Sequence, residues 1–200
     1  MSQPDKIAPL IRGLCDADIA QREKSATEIF RLGSGLARSA ATSWLADSEL
    51  TRLFVIHDSQ FPETTVGLAV EPENFERIRF ANGSPRLADV PPDQDAREFE
   101  LHFPRGIQLD ILTTQQKDGT GAIARYLKKF GEGIQQIELL TRDVDRATEI
   151  LRERFRIEPV YPATRAGADG TRINFFLASG PAGEKALIEL VEAAANSKPE

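Results

Sequence analysis

The second half of the chain repeats the order of predicted elements found in its middle. Each copy has a strand, a helix, a short strand and a hairpin, so each is predicted to be a βαβββ module. Residues 65–70 (TVGLAV) correspond to 136–141 (QIELLT), and 108–112 (QLDIL) correspond to 187–191 (LIELV). Because each module needs one apolar sheet face for its helix, two modules can form a curved mixed sheet around a pocket on the other face. The predicted fold class is therefore α+β.

The N-terminal part of the chain differs from the modules because its apolar residues recur at helical spacing. Gly33 is predicted to end the second helix of this part, and Asp47 to cap a short later one. This helical part is expected to pack on the main domain or on a dimer mate. The predicted organisation is a helical N-terminal extension (1–56), a linker (57–63), a two-module domain (64–192, with modules at 64–113 and 133–192) and a tail (193–200).

Composition limits the classes of partner. A net charge of −6, with no run of lysine and arginine, argues against nucleic acid. No apolar run is long enough for a membrane span, and the N-terminus lacks a signal-peptide core. The one cysteine, Cys15, cannot form an internal disulfide, which agrees with a reducing, cytoplasmic location. The expected partners are a small-molecule ligand and a second copy of the chain in a homodimer.

Strand alternation divides the side chains of each hairpin between two faces. In the first hairpin, a three-residue loop would place Glu100 across from Asp110 and His102 across from Gln108. In the second hairpin, the predicted apolar face is formed by five residues: Ile173, Phe175, Leu177, Ile188 and Leu190. The opposite face is then predicted to carry Arg172, Asn174 and Glu189. The short strands that complete the modules are predicted at 85–90 and 157–164, and a linking helix at 119–130.

The duplication places Asp110 and Glu189 at equivalent positions, which marks them as candidate site residues. His102 can act as a general base or as a ligand, although an exposed strand histidine is an equally good interpretation. Arg165 and Arg172 can hold a carboxylate or phosphate, or pair with Asp169. Lys128 and Lys129 are interpreted as part of a solvated helix face. The candidate ligand-binding residues are Asp110, Gln136, Arg172, Asn174 and Glu189, and the candidate catalytic residues are Glu100 and His102.

Two of these segments resemble a known family. Residues 131–137 (GEGIQQI) look like the Gly-x-Gly-x-His-His-Ile strand opening of the vicinal oxygen chelate superfamily, the glyoxalase and methylmalonyl-CoA epimerase fold, and 187–191 resembles its closing strand. The resemblance covers about 64–192, and the epimerase branch is the nearest. It implies a divalent metal held by two side chains from each module, with substrates chelating through neighbouring oxygens. Carried over by position, the four ligands are Thr65, Asp110, Gln136 and Glu189.

The chain departs from the family pattern because the first and third ligand positions, usually histidine, hold Thr65 and Gln136. Without imidazole, oxygen ligands from Asp110, Gln136 and Glu189 suit Mg²⁺, Mn²⁺ or Ca²⁺ weakly rather than Zn²⁺. Because four fixed ligands are normally needed, a metal-free site is the first expectation. One carboxylate would then hold a proton, pair with Arg172 or bind a cationic ligand.

Three functions stay open. The first is a protein that binds a small oxygen-rich or acyl ligand in its concave pocket, with a degenerate or absent metal site. The second is a metal-dependent isomerase or lyase of the methylmalonyl-CoA epimerase or glyoxalase type, in which Glu100 moves a proton. The third is an interaction module formed by the N-terminal helices, with an idle pocket.

Overall fold

The computed structural model describes residues 3–57, 60–116, 119–180 and 183–192. No helix in these ranges is both long and apolar enough to cross a membrane. The helices are α1 (Gln3–Leu14), α2 (Ile19–Ala41), α3 (Ser48–Leu53), α4 (Pro72–Ala81), α5 (Ala122–Phe130) and α6 (Val144–Phe155). The strands are β1 (Thr64–Ala69), β2 (Ala96–Phe103), β3 (Ile107–Thr114), β4 (Gly133–Thr141), β5 (Arg165–Ala166), β6 (Arg172–Ser179) and β7 (Lys185–Glu192).

The described residues form two compact units, each made of one module and part of the helical region. The first contains the chain up to Gly33 together with Thr65–Gln135, and the second contains Ser34–Thr64 and the chain from Gln136 onward. Parallel and antiparallel strand pairs occur in both units. The predicted α+β class, with two sheet-and-helix modules after a helical N-terminal region, is confirmed. The second module has the full βαβββ order, whereas the first lacks the short strand among its described residues.

In the first unit the strand order is β2-β3-β1, with β1 parallel and β2 antiparallel to β3. Helix α4 covers the apolar sheet face, where the Phe75 ring lies edge-on to Phe99 with centroids 4.8 Å apart. Helix α1 packs on α4, and Asn82 Nδ2 donates to the Leu14 carbonyl at 3.0 Å. Helix α1 is therefore attached to the sheet through α4.

Gly33 does not end a helix, contrary to the prediction, because α2 continues to Ala41. Its role is a close approach to the sheet. A Cβ at this position would lie 2.5 Å from Val66 Cγ1, which is well inside van der Waals contact. The glycine therefore allows the α2 backbone to rest on the side chain of Val66 in β1.

In the second unit the strand order is β4-β7-β6-β5, with β4 parallel to β7 and the remaining pairs antiparallel. Asp143 caps α6, because its Oδ1 accepts from the Arg146 backbone N–H at 2.9 Å. The predicted cap of α3 is confirmed, since Asp47 Oδ1 accepts from the backbone N–H of Glu49 and of Leu50. Trp44 is buried against Phe176 of β6, with ring centroids 6.3 Å apart.

Two predicted short strands are wrong. Residues 85–90 form no strand, although the Ala88 backbone N–H donates to the Glu98 carbonyl at 3.0 Å. Residues 157–164 contribute only an isolated bridge from Pro159 to Phe176, and the short strand is β5 instead. Pro159 and Pro162 explain this shift, because proline has no N–H for a strand ladder. The predicted tail and linker residues 58–59 lie outside the described residues, and the predicted domain boundaries stay predictions.

Candidate functional site

The first unit places Asp110 among polar side chains on the sheet face opposite α4. The β2·β3 register sets Glu100 across from Asp110 and His102 across from Gln108, which confirms the predicted hairpin pairing. Asp110 is 4% exposed and lies beside Gly67 of β1. In contrast, Glu100 and His102 are exposed and pair with each other at 3.0 Å. The buried carboxylate of this face is therefore that of Asp110.

Helix α5 covers one end of this polar face. Ile123 and Leu127 of α5 pack in one buried cluster with Ala69 and Leu112, and Leu112 is two residues beyond Asp110 on the same side of β3. The predicted linking helix is thus confirmed from Ala122 to Phe130. The Tyr126 hydroxyl donates to the Ile134 carbonyl at 2.8 Å, and burial raises the pKa of Tyr126 to about 12.

The second unit has an amide between two carboxylates. Gln136 Nε2 donates to Glu189 Oε2 at 2.5 Å and to Glu138 Oε1 at 3.3 Å. Gln136 is 8% and Glu189 is 6% exposed, whereas Glu138 is half-buried. Glu138 and Glu189 are direct partners in the parallel β4·β7 register, so their side chains point to the same face. Gln136, Glu138 and Glu189 are called the amide–carboxylate cluster below.

Sequence reasoning did not select Glu138 as a site residue. Two signals were available in the chain. Alternation along β4 assigns Glu138 to the same face as Gln136, and the internal repeat aligns Glu138 with Gly67 of the first module. Because Glu138 is charged and Gly67 has no side chain, the two modules differ in the polar groups they present at this position.

The predicted face of β6 is wrong. Phe175, not Asn174, lies across from Glu189, while Asn174 pairs with Leu190 and Phe176 pairs with Ile188. Asn174 is fully buried, with its Oδ1 accepting from the Phe175 backbone N–H at 2.9 Å and its Nδ2 donating to the Tyr161 carbonyl at 3.4 Å. Asn174 therefore does not share a face with the amide–carboxylate cluster, which Phe175 borders instead.

Loop length explains this error. Ser179 pairs with Lys185, so the five residues 180–184 connect β6 and β7, whereas the predicted faces correspond to a connection of four residues. A change of one residue in the connection shifts the pairing and moves every side chain of one strand to the other face. The first hairpin was predicted with its true loop, Pro104–Gly106, and its register is therefore correct.

Arg172 also lies on the helix side of the sheet. Its guanidinium hydrogen-bonds to Asp145, near the start of α6, and to Glu192 at 3.1 Å. The hydrogen bond that Arg172 donates to Asp145 and the charge of Glu192 raise the pKa of Arg172. In turn, the hydrogen bonds donated by Thr164 and Arg172 lower the pKa of Asp145. Arg172 thus links Glu192 of β7 to Asp145 of α6 and does not pair with Glu189 as expected. Arg165 lies over the Tyr161 ring at 4.4 Å.

The four positions that the resemblance assigns to metal ligands do not fit the expected metal site. The Thr65 hydroxyl donates to Gln108 Oε1 at 3.0 Å, and Gln136 directs its amide N–H at the Glu189 carboxylate. An N–H group cannot coordinate a cation, and histidine is missing from both modules at these positions. No group of three or more histidine, cysteine, aspartate or glutamate side chains in the described ranges has the arrangement of a metal site.

Comparisons with known proteins give structural relatives only, because no family model and no curated protein matches the sequence. The methylmalonyl-CoA epimerase of Mycobacterium tuberculosis is 30% identical, with a TM-score of 0.54 over 70% of this chain and 93% of the epimerase. A Streptomyces coelicolor methylmalonyl-CoA epimerase variant in complex with 2-nitronate-propionyl-CoA is 26% identical, with a TM-score of 0.52 over 68% of this chain and all of the epimerase.

A third solved structure, a methylmalonyl-CoA epimerase in complex with methylmalonyl-CoA and NH4⁺, is 28% identical, with a TM-score of 0.51 over 68% of this chain and 96% of the epimerase. A hypothetical protein of Bacillus halodurans, 20% identical with a TM-score of 0.54, shows the same fold.

Proposed function

The chain belongs to the vicinal oxygen chelate superfamily, and on that premise we propose that it binds an acyl-CoA thioester without a transition-metal centre. Solved relatives carry methylmalonyl-CoA or 2-nitronate-propionyl-CoA, which supports this class of ligand. Each unit is proposed to offer its own polar site for the ligand. The site of the first unit is Asp110, and that of the second is Gln136 and Glu189 from the sequence prediction, with Glu138 and Phe175 added from the geometry.

The hydrogen bond between Gln136 and Glu189 carries the proposal. In the family pattern these two positions supply an imidazole and a carboxylate to a metal. Here the amide donates to the carboxylate, so a neutral side chain holds Glu189 in place where the resemblance implies a cation. This pairing gives Glu189 a stable environment that needs no metal charge, while retaining a polar site next to Phe175.

The chemistry of the cluster limits the acyl group. Its carboxylate oxygens are acceptors, and the amide hydrogens of Gln136 point at those carboxylates. Such a site accepts hydrogen bonds from hydroxyl or amide N–H groups, which the arm of CoA supplies. It repels a ligand carboxylate, because like charges at short range are unfavourable. We therefore propose a preference for neutral acyl groups such as propionyl over methylmalonyl.

Binding is tested by thermal unfolding after treatment with EDTA, with propionyl-CoA, methylmalonyl-CoA and free CoA as ligands. A bound ligand at a hundred times its dissociation constant stabilises the folded state by about 2.7 kcal/mol. We expect propionyl-CoA to stabilise the protein most, and Gln136→Leu to remove that stabilisation. Gln135→Leu, which changes the neighbouring side chain on the other face, is the matched control. Absence of stabilisation by every acyl-CoA would contradict the proposal.

The second candidate function is a metal-dependent isomerase or lyase of the epimerase type, which the 30% identity to an epimerase favours. Glu100, across from Asp110, is the proposed proton-transfer residue, and a weakly held Mg²⁺, Mn²⁺ or Ca²⁺ would be the cofactor. Exchange of the proton next to the thioester carbonyl is measured in D2O with methylmalonyl-CoA, with and without added cation. Cation-dependent exchange that Glu100→Gln abolishes would favour this function over simple binding.

A further inference from the structure

Helix α5 presents a basic outer face in an otherwise acidic chain. Arg125, Lys128 and Lys129 are exposed and follow the i, i+3, i+4 spacing that places side chains on one side of a helix. No acidic residue occurs from Ala122 to Phe130, although the chain has a net charge of −6. Arg125, Lys128 and Lys129 are called the α5 basic face below.

Neither lysine of this face has an ion-pair partner among the described residues. Lys129 Nζ lies 4.9 Å from the centroid of the Phe130 ring. Arg125 donates to the Thr120 carbonyl and keeps its charge exposed. Three cations thus lie together with no anionic partner among the described residues, and such a surface attracts negatively charged ligands.

Next to the basic face lies an exposed aromatic ring. Phe130 is 52% exposed and packs beside Tyr126, with ring centroids 5.3 Å apart. An exposed aromatic ring beside basic side chains is a surface on which a nucleic-acid base can stack while its phosphates contact the cations. The combination favours a ligand that has both a base and phosphate groups.

The inner face of α5 connects this surface to the candidate site of the first unit. Ile123 and Leu127 pack on Leu112, which is two residues from Asp110 along β3 and therefore about 7 Å away. A ligand whose acyl end lies near Asp110 can extend its other end across α5 without leaving this unit.

We propose that the α5 basic face and Phe130 bind the 3′-phosphoadenosine diphosphate end of the acyl-CoA ligand. This inference rests on the proposed function, because it assigns the nucleotide half of the same ligand. The lysines and Arg125 contact the phosphates, and the Phe130 ring stacks on the adenine. A membrane surface is a poorer occupant, because the apolar residues of α5 (Ile123, Ala124 and Leu127) are buried in the fold.

The test compares ligands with and without the nucleotide. Affinities for propionyl-CoA and for propionyl-pantetheine, which lacks the nucleotide, are measured by calorimetry on the full chain. We expect the double variant Lys128→Gln/Lys129→Gln to weaken propionyl-CoA binding on the order of tenfold and to reduce its salt dependence. Binding of propionyl-pantetheine is expected to stay unchanged. Arg142→Gln/Arg152→Gln, which removes two exposed charges elsewhere, is the matched control.

Phe130→Ala gives a second measurement. Loss of base stacking is expected to lower the affinity for propionyl-CoA about fivefold without changing the affinity for propionyl-pantetheine. Adenosine 3′,5′-bisphosphate is expected to compete with propionyl-CoA on the wild type and not on the lysine double variant. The inference is overturned if wild-type protein binds propionyl-CoA and propionyl-pantetheine equally, or if inorganic pyrophosphate competes as well as the bisphosphate. If neither thioester binds the wild type, the proposed function itself fails.

Discussion

Gln136 donates hydrogen bonds to Glu189 and Glu138 from the position that the family resemblance assigns to a histidine ligand. A buried carboxylate is costly unless its charge is neutralised or its oxygens are hydrogen-bonded. In a metal site the cation meets this requirement, whereas here the primary amide does so. In the proposed metal-free site, Gln136 thus takes the place of the cation as the partner of Glu189.

This role of Gln136 predicts a stability difference between two adjacent glutamines. Gln136→Leu removes the donor from the buried Glu189 carboxylate and should lower the free energy of unfolding by about 1–3 kcal/mol. Gln135→Leu should be neutral or slightly stabilising, because the Gln135 Oε1 is buried and has no hydrogen-bond partner among the described residues. Urea unfolding of both variants gives the comparison. Equal losses for the two would show that Gln136 does not support Glu189.

At the scale of elements, α2 rests on β1 where Gly33 meets Val66. Glycine has a low helix propensity, yet α2 runs through both Gly33 and Gly35. At Gly33 the reason is packing, because the helix backbone lies close to Val66. The two glycines lie in the same helix and differ in their surroundings. A Cβ at Gly35 would meet no atom within 4 Å.

Alanine substitutions at these glycines should have opposite effects. Gly33→Ala brings a methyl group against the Val66 side chain and should destabilise the protein by about 1–2 kcal/mol. Gly35→Ala adds helix propensity in open space and should stabilise it by about 0.5–1 kcal/mol. The free energy of unfolding in urea measures both. Stabilisation by Gly33→Ala would show that α2 can move away from β1 at no cost.

Helix α3 is joined to α6 by charged side chains. Arg146 pairs with Glu49 at 2.6 Å, and Arg154 pairs with Asp47 at 2.7 Å. The backbone N–H of Leu50 and the Arg154 side chain lower the pKa of Asp47, while Arg146 and Arg154 lower the pKa of Glu49. Since both folded-state pKa values lie below their ordinary values of 3.8 and 4.5, these carboxylates stabilise the fold above those values. The stabilisation is lost as pH falls through the folded-state pKa.

The destabilisation caused by Arg146→Gln should therefore depend on pH. We expect it to be largest at neutral pH and to shrink as pH falls below 4.5, the ordinary pKa of Glu49. Fluorescence of Trp44, the one tryptophan of the chain, reports unfolding of the second unit. Arg152→Gln replaces an exposed arginine of the same helix and should change the free energy of unfolding little, both at neutral pH and below pH 4.5. A pH-independent loss in Arg146→Gln would exclude the ion pairs as its cause.

Alternation and capping signals were enough to predict most elements and the β2·β3 register. They failed for β6, because both faces of that strand carry apolar residues: Ile173 and Phe175 on one side, Phe176 and Ala178 on the other. Trp44, from the helical region, covers Phe176 and makes its side the core. Burial by a residue more than a hundred positions away cannot be inferred from local periodicity, so periodicity could not correct the loop-length error that misassigned Asn174.

At the scale of the molecule, the helical N-terminal region supplies part of the core of both units. Ile7 and Leu14 are buried in the first unit, and Trp44 and Phe54 in the second. Phe54 also forms a bridge with Thr141 of β4, and the Arg142 backbone N–H donates to the Leu53 carbonyl at 2.7 Å. These contacts favour helices that are integral to each unit rather than an appendage.

A fragment of residues 57–200 should therefore not fold cooperatively. Loss of one buried aromatic side chain costs about 3–5 kcal/mol, and the stability of a whole domain is about 5–15 kcal/mol. Removing Trp44 and Phe54 together with the apolar residues of α1 and α2 should exceed that stability. Circular dichroism and urea unfolding of the fragment, beside the full chain, measure the effect. A soluble fragment with a sharp unfolding transition would instead make the helices a separate module and support the predicted boundary at residue 57.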